Sequence, residues 1–536
     1  MVNELITKSD MLNFLACPFA FKKAKEDGLD FQDLFASPFS LELAKVGMEH
    51  EERVIGSFDW KKSHFDITKV QHVMQKGTIV GGLHITNDNL GIAGEPDLVW
   101  TANGELVPIE IKAHKEENNT DPIEIAFYWL LLEPYRKRGK TPKGYYILRQ
   151  EIPDTGNILD SLTESSVDET HIDSVMETLR EMRAKMDYHP IRMASCRDCA
   201  LFKTYCLDFL KKTKCVSLLT TGGSVIQQLK ESKLNIEKIS KMSPSELQKF
   251  KGIGDKNSIK FYHKALAFME NKPIFFGREK LPDSSSVIFI DTEFYQNGSP
   301  FKEYVSGTDN LFALSVCISK GSTSETKVFY SKADDDVFME NDVSEDLKKI
   351  MFKIPNALIV TWGGASADVP ILKKRFEDLL DIKNPSAYGK KMQTLQRKIV
   401  SDFENRHIDL MVFVKNNISF PTTSDSIKTI AEYLGYMRKE TAMWGTDTFR
   451  IDADVYEINN QLSELLKYLV RNNKTKKGEK EANMKIAEIR AKKKMLLDRL
   501  YGYCKDDVDS LKFIFDWIKS NQNQKTSSGT RSSFVK

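Results

Sequence analysis

Two sets of acidic residues lie far apart in the chain, and each accompanies an apolar run that predicts a buried β-strand. The first set contains Asp97 and Glu110, and the second begins with Asp291 and Glu293. Side chains two positions apart on a strand point to the same face, so Asp291 and Glu293 share one face. Converging carboxylates supply the oxygen ligands that divalent cations prefer. The sequence therefore predicts an α/β protein with two separate metal centres.

Length and composition describe an ordinary water-soluble protein. The 536 residues are enough for about three domains that each bury a core. No run of about 18 apolar residues appears, and the first residues lack a secretory signal, so we expect a cytoplasmic protein with no membrane partner. The net charge is only +2, so bulk charge does not by itself indicate a nucleic-acid partner.

The order of predicted helices and strands divides the chain into three parts and a tail. The predicted divisions are an α/β domain at 1–215, short helices at 216–280 that end in a linker at 273–286, a second α/β domain at 281–519 with a Lys-rich helical insert at 455–500, and a disordered tail at 520–536.

The first acidic set lies on predicted strands. One strand is expected at 78–85, and a hairpin with its turn at Asn103-Gly104 follows. Alternation along the second hairpin strand puts Glu110 and Lys112 on one side, and Asp97 ends the preceding strand close to Glu110. A surface hairpin with ordinary charges would show the same short Glu-Ile-Lys motif, so the motif alone does not decide between the two interpretations.

The wider context of this set resembles the RecB-type PD-(D/E)XK nucleases. The matching segments are Gly47-Met48-Glu49-His50, Gly94-Glu95-Pro96-Asp97 and Pro108-Ile109-Glu110-Ile111-Lys112. The resemblance implies a restriction-endonuclease-like fold with His50, Asp97 and Glu110 as ligands of Mg²⁺ or Mn²⁺. It implies Lys112 as the catalytic lysine.

The same family continues with a Gln-x-x-x-Tyr motif on a helix. Tyr128 matches the tyrosine, and the resemblance implies that it contacts DNA. Glu124 stands where the family has glutamine.

Four of the seven cysteines are placed as metal ligands would be. Cys17 precedes the predicted core, and Cys196, Cys199 and Cys206 follow it. In a reducing compartment this pattern argues for a metal centre rather than disulfides, although spacing alone leaves zinc, an iron–sulfur cluster and plain buried cysteines open. One cysteine before the core and three after it resembles the iron–sulfur RecB-like exonucleases, which implies a [4Fe–4S] cluster with Zn²⁺ as the alternative.

The middle part contains Gly252-Ile253-Gly254 between a short predicted helix and a longer one. This pattern resembles a helix-hairpin-helix motif, in which Gly252 and Gly254 let backbone N–H groups approach a DNA phosphate without reading sequence. A plain glycine-containing turn between two helices is the alternative.

The second acidic set combines three separated segments. Asp291 and Glu293 lie on a predicted strand, and Asp368 begins a predicted helix. Tyr503 and Asp507 are four residues apart, which places both on one face of a late helix. Each group alone could be surface charge. Together they favour a site for two divalent cations, with Tyr503 orienting the attacking water.

The order of these segments resembles the DnaQ-like (DEDD) exonucleases, which have an RNase H-like fold. The matching segments are 287–293, 362–368, His407-Ile408-Asp409-Leu410, Ser426-Ile427-Lys428 and 503–507. The resemblance implies that the metal ligands are Asp291, Glu293, Asp368 and Asp507. Asp409 is left as a supporting or structural residue, and small residues replace the family's asparagine and aromatic residue before Asp368.

These expectations combine into one functional hypothesis. The three-part order matches RecB-like nucleases of archaea and bacteria that join both nuclease types through a helix-hairpin-helix segment. We expect a metal-dependent DNA nuclease with two hydrolytic centres, the second a 3′–5′ exonuclease, acting in DNA repair or recombination on single strands or ends. One alternative is a structure-specific DNA-binding scaffold in which one or both centres are inactive. Another is that the C-terminal centre acts on RNA.

Overall fold

The computed structural model describes most of the chain, which divides into two compact units, Met1–Ser217 and Leu218–Lys536. The described residues are 5–35, 38–57, 79–102, 105–136, 141–149, 158–184, 187–197, 199–295, 311–334, 342–377, 394, 397–398, 400–401, 403–439, 445–471 and 476–523. Within these ranges, no helix is both long enough and apolar enough to cross a lipid bilayer.

A five-stranded sheet forms the centre of the first unit. The strands of the whole unit are β1 Ile79–Gly81, β2 Ile85–Asn87, β3 Ile92–Gly94, β4 Leu98–Ala102, β5 Glu105–Ile111, β6 Tyr145–Ile147 and β7 Thr163–Glu164. The sheet order is β1-β4-β5-β6-β7, and β2 pairs with β3 separately. Strands β5 and β6 are parallel, and the other neighbours in the sheet are antiparallel.

Helices pack against both faces of this sheet. The helices of the unit are α1 Lys8–Ala16, α2 Pro18–Asp27, α3 Pro38–Ser57, α4 Asp121–Leu131, α5 Glu169–Arg183 and α6 Leu207–Lys212. Ile109 and Ile111 of β5 pack with Val54 of α3 on one face. Because side chains alternate along a strand, Glu110 points to the opposite face, which α4 covers.

The second unit is built on a mixed sheet. The strands of this unit are β8 Ile274–Phe275, β9 Ser286–Phe294, β10 Leu311–Lys320, β11 Thr323–Tyr330, β12 Leu358–Thr361, β13 His407–Asp409 and β14 Ile418–Ser419. The sheet order is β11-β10-β9-β12-β13. Strands β9, β10 and β11 pair antiparallel, whereas β12 runs parallel to β9 and to β13.

The helices of the second unit include a short helical segment before the sheet and two long helices after it. They are α7 Gly223–Glu231, α8 Ile236–Ile239, α9 Pro244–Leu247, α10 Asp255–Glu270, α11 Val343–Lys353, α12 Asp368–Glu377, α13 Leu410–Asn417, α14 Ile427–Tyr433, α15 Gly445–Arg471 and α16 Lys476–Asn521. Val508, Leu511 and Ile514 of α16 pack in the core with Phe289 of β9. This burial fixes the end of α16 beside the central strand.

A buried ion pair ties α15 to the sheet. The Asp452 carboxylate is fully buried and accepts a hydrogen bond from Lys332 Nζ at 2.7 Å. The hydroxyl groups of Tyr295 and Tyr330 also donate to it, at 2.7 and 2.8 Å. A buried carboxylate with this many donors is satisfied, so the network sets the position of α15.

The predicted elements differ from the structure at three places. The strand expected at 78–85 is interrupted at Gly82, whose φ of +68° turns the chain between β1 and β2. The linker expected at 273–286 contains β8, which pairs with β14. Helix α16 continues through Asn521, beyond the predicted start of the tail. The turn at Asn103-Gly104 and residues 524–536 of the predicted tail lie outside the described residues.

Candidate metal centres

Strand β9 and helix α16 bring three members of the second acidic set together. Asp291 and Glu293 lie two residues apart on β9, and Asp507 reaches them from α16. One carboxylate oxygen of each residue lies within 4.8 Å of the other two. Among the described residues, no other three His, Cys, Asp or Glu side chains converge this closely. Oxygens at this separation can share a divalent cation, whose bonds to oxygen are about 2.0–2.6 Å long.

Crowding shifts the pKa values of Asp291 and Glu293. Burial, followed by the charge of Asp507, raises the pKa of Asp291 well above its ordinary range. The same two causes raise the pKa of Glu293 to about 8. Like charges held together away from water disfavour ionisation. A cation between them would remove this penalty, so the donor set fits a divalent metal.

Asp368, the fourth predicted ligand, lies at the start of α12 and outside the 4.8 Å group. The backbone N–H of Thr292 donates to its Oδ1 at 3.0 Å, and the Thr292 hydroxyl donates to the same oxygen. A Cβ on Gly364 would lie 2.2 Å from Thr361 Oγ1 and 2.7 Å from Asp368 Oδ2. Gly364 is therefore required in the loop before Asp368, because its backbone lies too close to Thr361 and Asp368 to leave room for a side chain.

Asp409 has a structural position in this centre. Its carboxylate accepts hydrogen bonds from the backbone N–H groups of Gly363, Ala365 and Val412 at 2.9, 3.1 and 3.2 Å. The Val412 bond caps α13, and the other two hold the loop that leads to Asp368. These bonds support the structural role that the sequence left open for Asp409.

Tyr503 is buried beside Asp507 on α16, and two cations flank its ring. Lys428 Nζ donates to the Tyr503 hydroxyl at 2.8 Å and lies 4.3 Å from the ring centroid. The Arg438 guanidinium lies 5.7 Å from the same centroid and forms an ion pair with Asp507. Burial, followed by Asp507 and Glu293, raises the pKa of Tyr503 far above its ordinary value. The hydroxyl therefore stays protonated and serves as a hydrogen-bond donor.

Three residues of this centre were not identified as site residues from the sequence. Lys428 belongs to a segment that resembles the exonuclease family, but its contact with Tyr503 has no sequence signal. Arg438 has no signal at all. Thr448, near the start of α15, donates its hydroxyl to Glu293 Oε2 at 3.0 Å. No pattern in the segment around Thr448 connects it with β9.

In the first unit, Asp97 and Glu110 lie beside each other at the β4–β5 pair. Asp97 Oδ2 accepts a hydrogen bond from the Ile111 backbone N–H at 2.7 Å, and the Asp97 N–H lies 3.4 Å from Glu110 Oε1. Burial, followed by the charge of Glu110, raises the pKa of Asp97 to about 7. These two predicted ligands therefore share one buried acidic environment.

His50, the third predicted ligand of this unit, lies buried on α3 with Nδ1 3.0 Å from Arg53. His50, Asp97 and Glu110 do not offer ligand atoms within 4.8 Å of one another. The ligand atoms of this predicted set are therefore farther apart than those of Asp291, Glu293 and Asp507.

Two lysines neutralise the acidic side of this centre. Lys112 Nζ lies 2.7 Å from Glu124 Oε2 and 3.6 Å from Glu110 Oε2. Lys8, which was not identified from the sequence, lies 2.8 Å from Glu110 Oε2 and 3.1 Å from Glu124 Oε2. Burial opposes ionisation of Glu124, but Lys8 and Lys112 together lower its pKa below the ordinary value.

Tyr128, predicted to contact DNA, is only 3% exposed. Its hydroxyl donates to the backbone carbonyl of Glu95 at 2.9 Å, and Lys8 Nζ lies 4.8 Å from its ring centroid. In this structure Tyr128 therefore holds the loop that leads to Asp97.

The four predicted cluster cysteines lie in one neighbourhood of the first unit, but no three of their sulfur atoms lie within 4.8 Å of one another. Burial raises the pKa of Cys17 to about 11, and the neighbouring Cys196 and Cys199 contribute in the same direction. Burial raises the pKa of Cys206 to about 12, with contributions from the other three thiols. The Ala20 N–H donates to Cys17 Sγ at 3.4 Å. Burial therefore favours the neutral thiol form of these cysteines, and a bound metal would have to oppose that shift.

The predicted helix-hairpin-helix turn joins α9 to α10. Gly252 has a φ of +87°, in the left-handed region that favours glycine. Gly254 immediately precedes α10, and no side chain caps that helix end. Ile253 between them is 2% exposed, so it anchors the turn while both glycines are exposed.

Comparisons with known proteins identify one domain. Residues 301–477 match a family model described as RNase_H superfamily. The match includes Asp368, Asp409 and Lys428 but ends before Tyr503 and begins after Glu293. The chain therefore contains an RNase H-like mixed-sheet domain. A comparison with curated proteins finds no match.

Among solved structures, one similar chain is the family B DNA polymerase from the hyperthermophilic archaeon Pyrobaculum calidifontis. The identity is 18%, the TM-score is 0.23, and the similarity covers 45% of this chain and 25% of the polymerase chain. The similarity thus spans a quarter of the polymerase's length.

Proposed function

We propose that the RNase H-like unit is a metal-dependent exonuclease that removes nucleotides from the 3′ ends of DNA. The observation that carries this proposal is the convergence of Asp291, Glu293 and Asp507 within 4.8 Å. The raised pKa values of Asp291 and Glu293 support it, because they indicate an unbalanced negative charge that cations would neutralise. Asp368 would complete the ligand set from the edge of the group.

The side chains around this cluster have separate tasks in hydrolysis. Divalent cations, when bound, supply Lewis-acid activation and a nucleophilic hydroxide. Lys428 donates to the Tyr503 oxygen, and the Tyr503 hydroxyl also hydrogen-bonds to Asp507, so both contacts fix the hydroxyl beside the place where the attacking water would lie. Arg438 holds Asp507, and Thr448 holds Glu293, which fixes the directions of both carboxylates.

The test compares DNA substrates labelled at either end, incubated with Mg²⁺ or Mn²⁺. An Asp291→Asn, Asp507→Asn variant should lose stepwise release from the 3′ end. Asp516→Asn is the matched control, because Asp516 lies on the same helix with its side chain 53% exposed. If the double variant still releases 3′ nucleotides at the wild-type rate, the proposal is wrong. Cleavage of RNA in preference to DNA would instead favour a ribonuclease.

We further propose that the first unit is a second, RecB-like nuclease centre. Asp97, Glu110 and His50 would hold the metal, and Lys112 would stabilise charge on the phosphate. The position of Lys112 between Glu110 and Glu124 supports this role, because the ammonium group is fixed beside the predicted ligands. DNA that binds without cleavage at either centre would favour the scaffold alternative.

For the four cysteines, we propose a [4Fe–4S] cluster, with Zn²⁺ as the alternative. The mutual electrostatic interaction of four thiols from separate parts of the unit supports a shared site, and the choice of iron rests on the resemblance. The protein purified without oxygen should contain about four irons and matching sulfide per chain. Cys199→Ser should lower both. Stoichiometric zinc without iron would refute the cluster.

We also propose that the turn at Gly252 and Gly254 binds DNA phosphates through backbone N–H groups and helps to place DNA repair or recombination intermediates on the protein. The exposed backbone at the start of α10 supports this role. Gly254→Pro, which removes one N–H, should weaken binding of duplex DNA without changing sequence preference.

A further inference from the structure

Glu124 replaces the glutamine of the RecB-like motif, and the structure offers a physical reason for the exchange. Its Oε2 atom lies 2.7 Å from Lys112 Nζ and 3.1 Å from Lys8 Nζ. One carboxylate oxygen is therefore shared by two ammonium groups. A neutral glutamine oxygen could not balance both charges.

Lys8 lies 102 positions before Glu110 in the sequence. It begins α1, its side chain is 20% exposed, and its Nζ lies 2.8 Å from Glu110 Oε2. Two lysines thus face two glutamates, with Asp97 beside Glu110. Losing Lys8 alone would leave excess negative charge, and losing the charge of Glu124 alone would leave excess positive charge.

Lys8 is not needed to fix the start of α1. Thr7 and Asp10 form a capping box, in which each side chain accepts a backbone N–H of the other. Met11 and Phe14 bury the inner face of the same helix. Lys8 Nζ lies above the Tyr128 ring and contacts buried carboxylates, so we expect Lys8 to have a role beyond starting the helix.

We propose that Lys8 and Glu124 are a matched pair, in which Glu124 holds Lys8 beside Lys112 as a two-ammonium site for a DNA backbone phosphate. This inference rests on the proposed nuclease role of the first unit. With Glu110 engaged by a cation, Lys8 keeps Glu124 as its partner. An ammonium group has three N–H donors, so Lys8 retains donors for a phosphate oxygen. Lys8 is thus a phosphate-binding residue of this centre.

The first test is a double-mutant cycle of Mn²⁺ affinity in the full chain. All variants carry Asp291→Asn and Asp507→Asn, so that Mn²⁺ binding at the second centre is suppressed. Glu124→Gln should weaken Mn²⁺ binding about tenfold, because Lys8 is left with Glu110 and competes with the cation. Adding Lys8→Met should restore the affinity. Additive or unchanged affinities would overturn the pairing.

The second test measures DNA affinity against salt concentration with Ca²⁺ in place of Mn²⁺. Lys8→Met should reduce the slope of log affinity against log salt by about one, as for the loss of one phosphate contact. Lys8→Arg should retain the slope. Lys23→Met is the matched control, because Lys23 is a partly exposed lysine on neighbouring α2. A wild-type slope in Lys8→Met would overturn the phosphate site.

A further variant separates this inference from the proposed function. If Lys112→Ala leaves DNA cleavage unchanged in the same background, the nuclease role of the first unit fails. If Lys112→Ala abolishes cleavage while the Mn²⁺ cycle is additive, only the Lys8–Glu124 pairing fails. Melting curves of each variant identify any that do not fold, and Glu124→Gln preserves side-chain shape.

Discussion

The two candidate centres balance their negative charge in different ways. In the second unit, Asp291, Glu293 and Asp507 converge within 4.8 Å, and the nearby cations bind only the edge of the group, through Tyr503 and Asp507. In the first unit, lysines lie within 3.6 Å of the central carboxylate oxygens. One centre is crowded with like charge, whereas the other is largely neutralised by its own side chains.

This difference appears in the protonation of the two centres. Burial and neighbouring carboxylates raise the pKa of Glu293 to about 8. Burial acts on Glu124 in the same direction, but Lys8 and Lys112 outweigh it and lower the pKa of that carboxyl. The second unit should therefore depend on cations for stability as well as chemistry. The first should depend on them less for stability, because Lys8 and Lys112 offset the burial of Glu124, although the pKa of Asp97 is raised to about 7.

The largest expected effect concerns the lysine of the first centre. In a chain carrying Asp291→Asn and Asp507→Asn, Lys112→Ala should lower DNA cleavage about 100- to 1,000-fold, because the charge that faces the phosphate is lost. Initial rates on labelled DNA with Mn²⁺ measure the effect. Lys45→Ala on α3, whose side chain is 59% exposed, is the control. Equal rates in both variants would show that Lys112 has no part in cleavage.

A smaller loss is expected when the Tyr503 hydroxyl is removed. Tyr503→Phe should slow the turnover of DNA ends about 10- to 100-fold with little change in KM, because the buried ring still packs but no longer orients the water. Steady-state kinetics with end-labelled DNA separate the turnover rate from KM. A change confined to KM would assign the hydroxyl to substrate binding instead.

The crowded centre also predicts how stability depends on pH. The folded protein holds a proton on Glu293 up to about pH 8, whereas the unfolded chain releases it near the ordinary value of 4.5. Folding therefore binds protons in this window, and without metal the stability is lost as pH rises from 4.5 through 8. Calorimetry in EDTA should show a melting temperature that falls by a few degrees over this range.

Two comparisons sharpen that measurement. Mg²⁺ should raise the melting temperature more at about pH 8 than at about pH 5.5, because it replaces the protons that the carboxylates lose. Glu293→Gln should flatten the pH dependence in EDTA. An unchanged slope in Glu293→Gln would mean that another group governs the effect.

Local pattern was sufficient to predict the elements that carry the second acidic set. Alternation placed Asp291 and Glu293 on one face of β9, and helical spacing placed Tyr503 beside Asp507. Asp368 begins a helix as expected. These relations depend on neighbours within a few positions of the chain, where the geometry of helices and strands is fixed.

The side chains that balance charge could not be predicted, because they come from distant segments. Lys8 lies 102 positions from Glu110, and Thr448 lies 155 positions from Glu293. Nothing in the sequence around either residue indicates its partner. The sequence places Glu124 where the resemblance to RecB-like nucleases would place glutamine, but the contact of Glu124 with Lys8 appears only in the structure. Charge balance is a property of the packed centre, and local pattern does not encode it.

The smallest expected effects are changes in stability when one glycine of each unit is replaced by alanine. Gly364→Ala would put a Cβ 2.2 Å from Thr361 Oγ1, so the loop before Asp368 must shift, at a cost of about 1–3 kcal/mol in unfolding free energy. Gly47 lies inside α3, and a Cβ there meets no atom within 4 Å. Gly47→Ala should therefore stabilise the protein by roughly 0.5–1 kcal/mol through its higher helix propensity. Denaturant titration measures both changes, and Gly364→Ala should also lower 3′ nucleotide release because Asp368 moves. A stable, fully active Gly364→Ala variant would show that the loop yields easily and that the position of Asp368 is not set by this close contact.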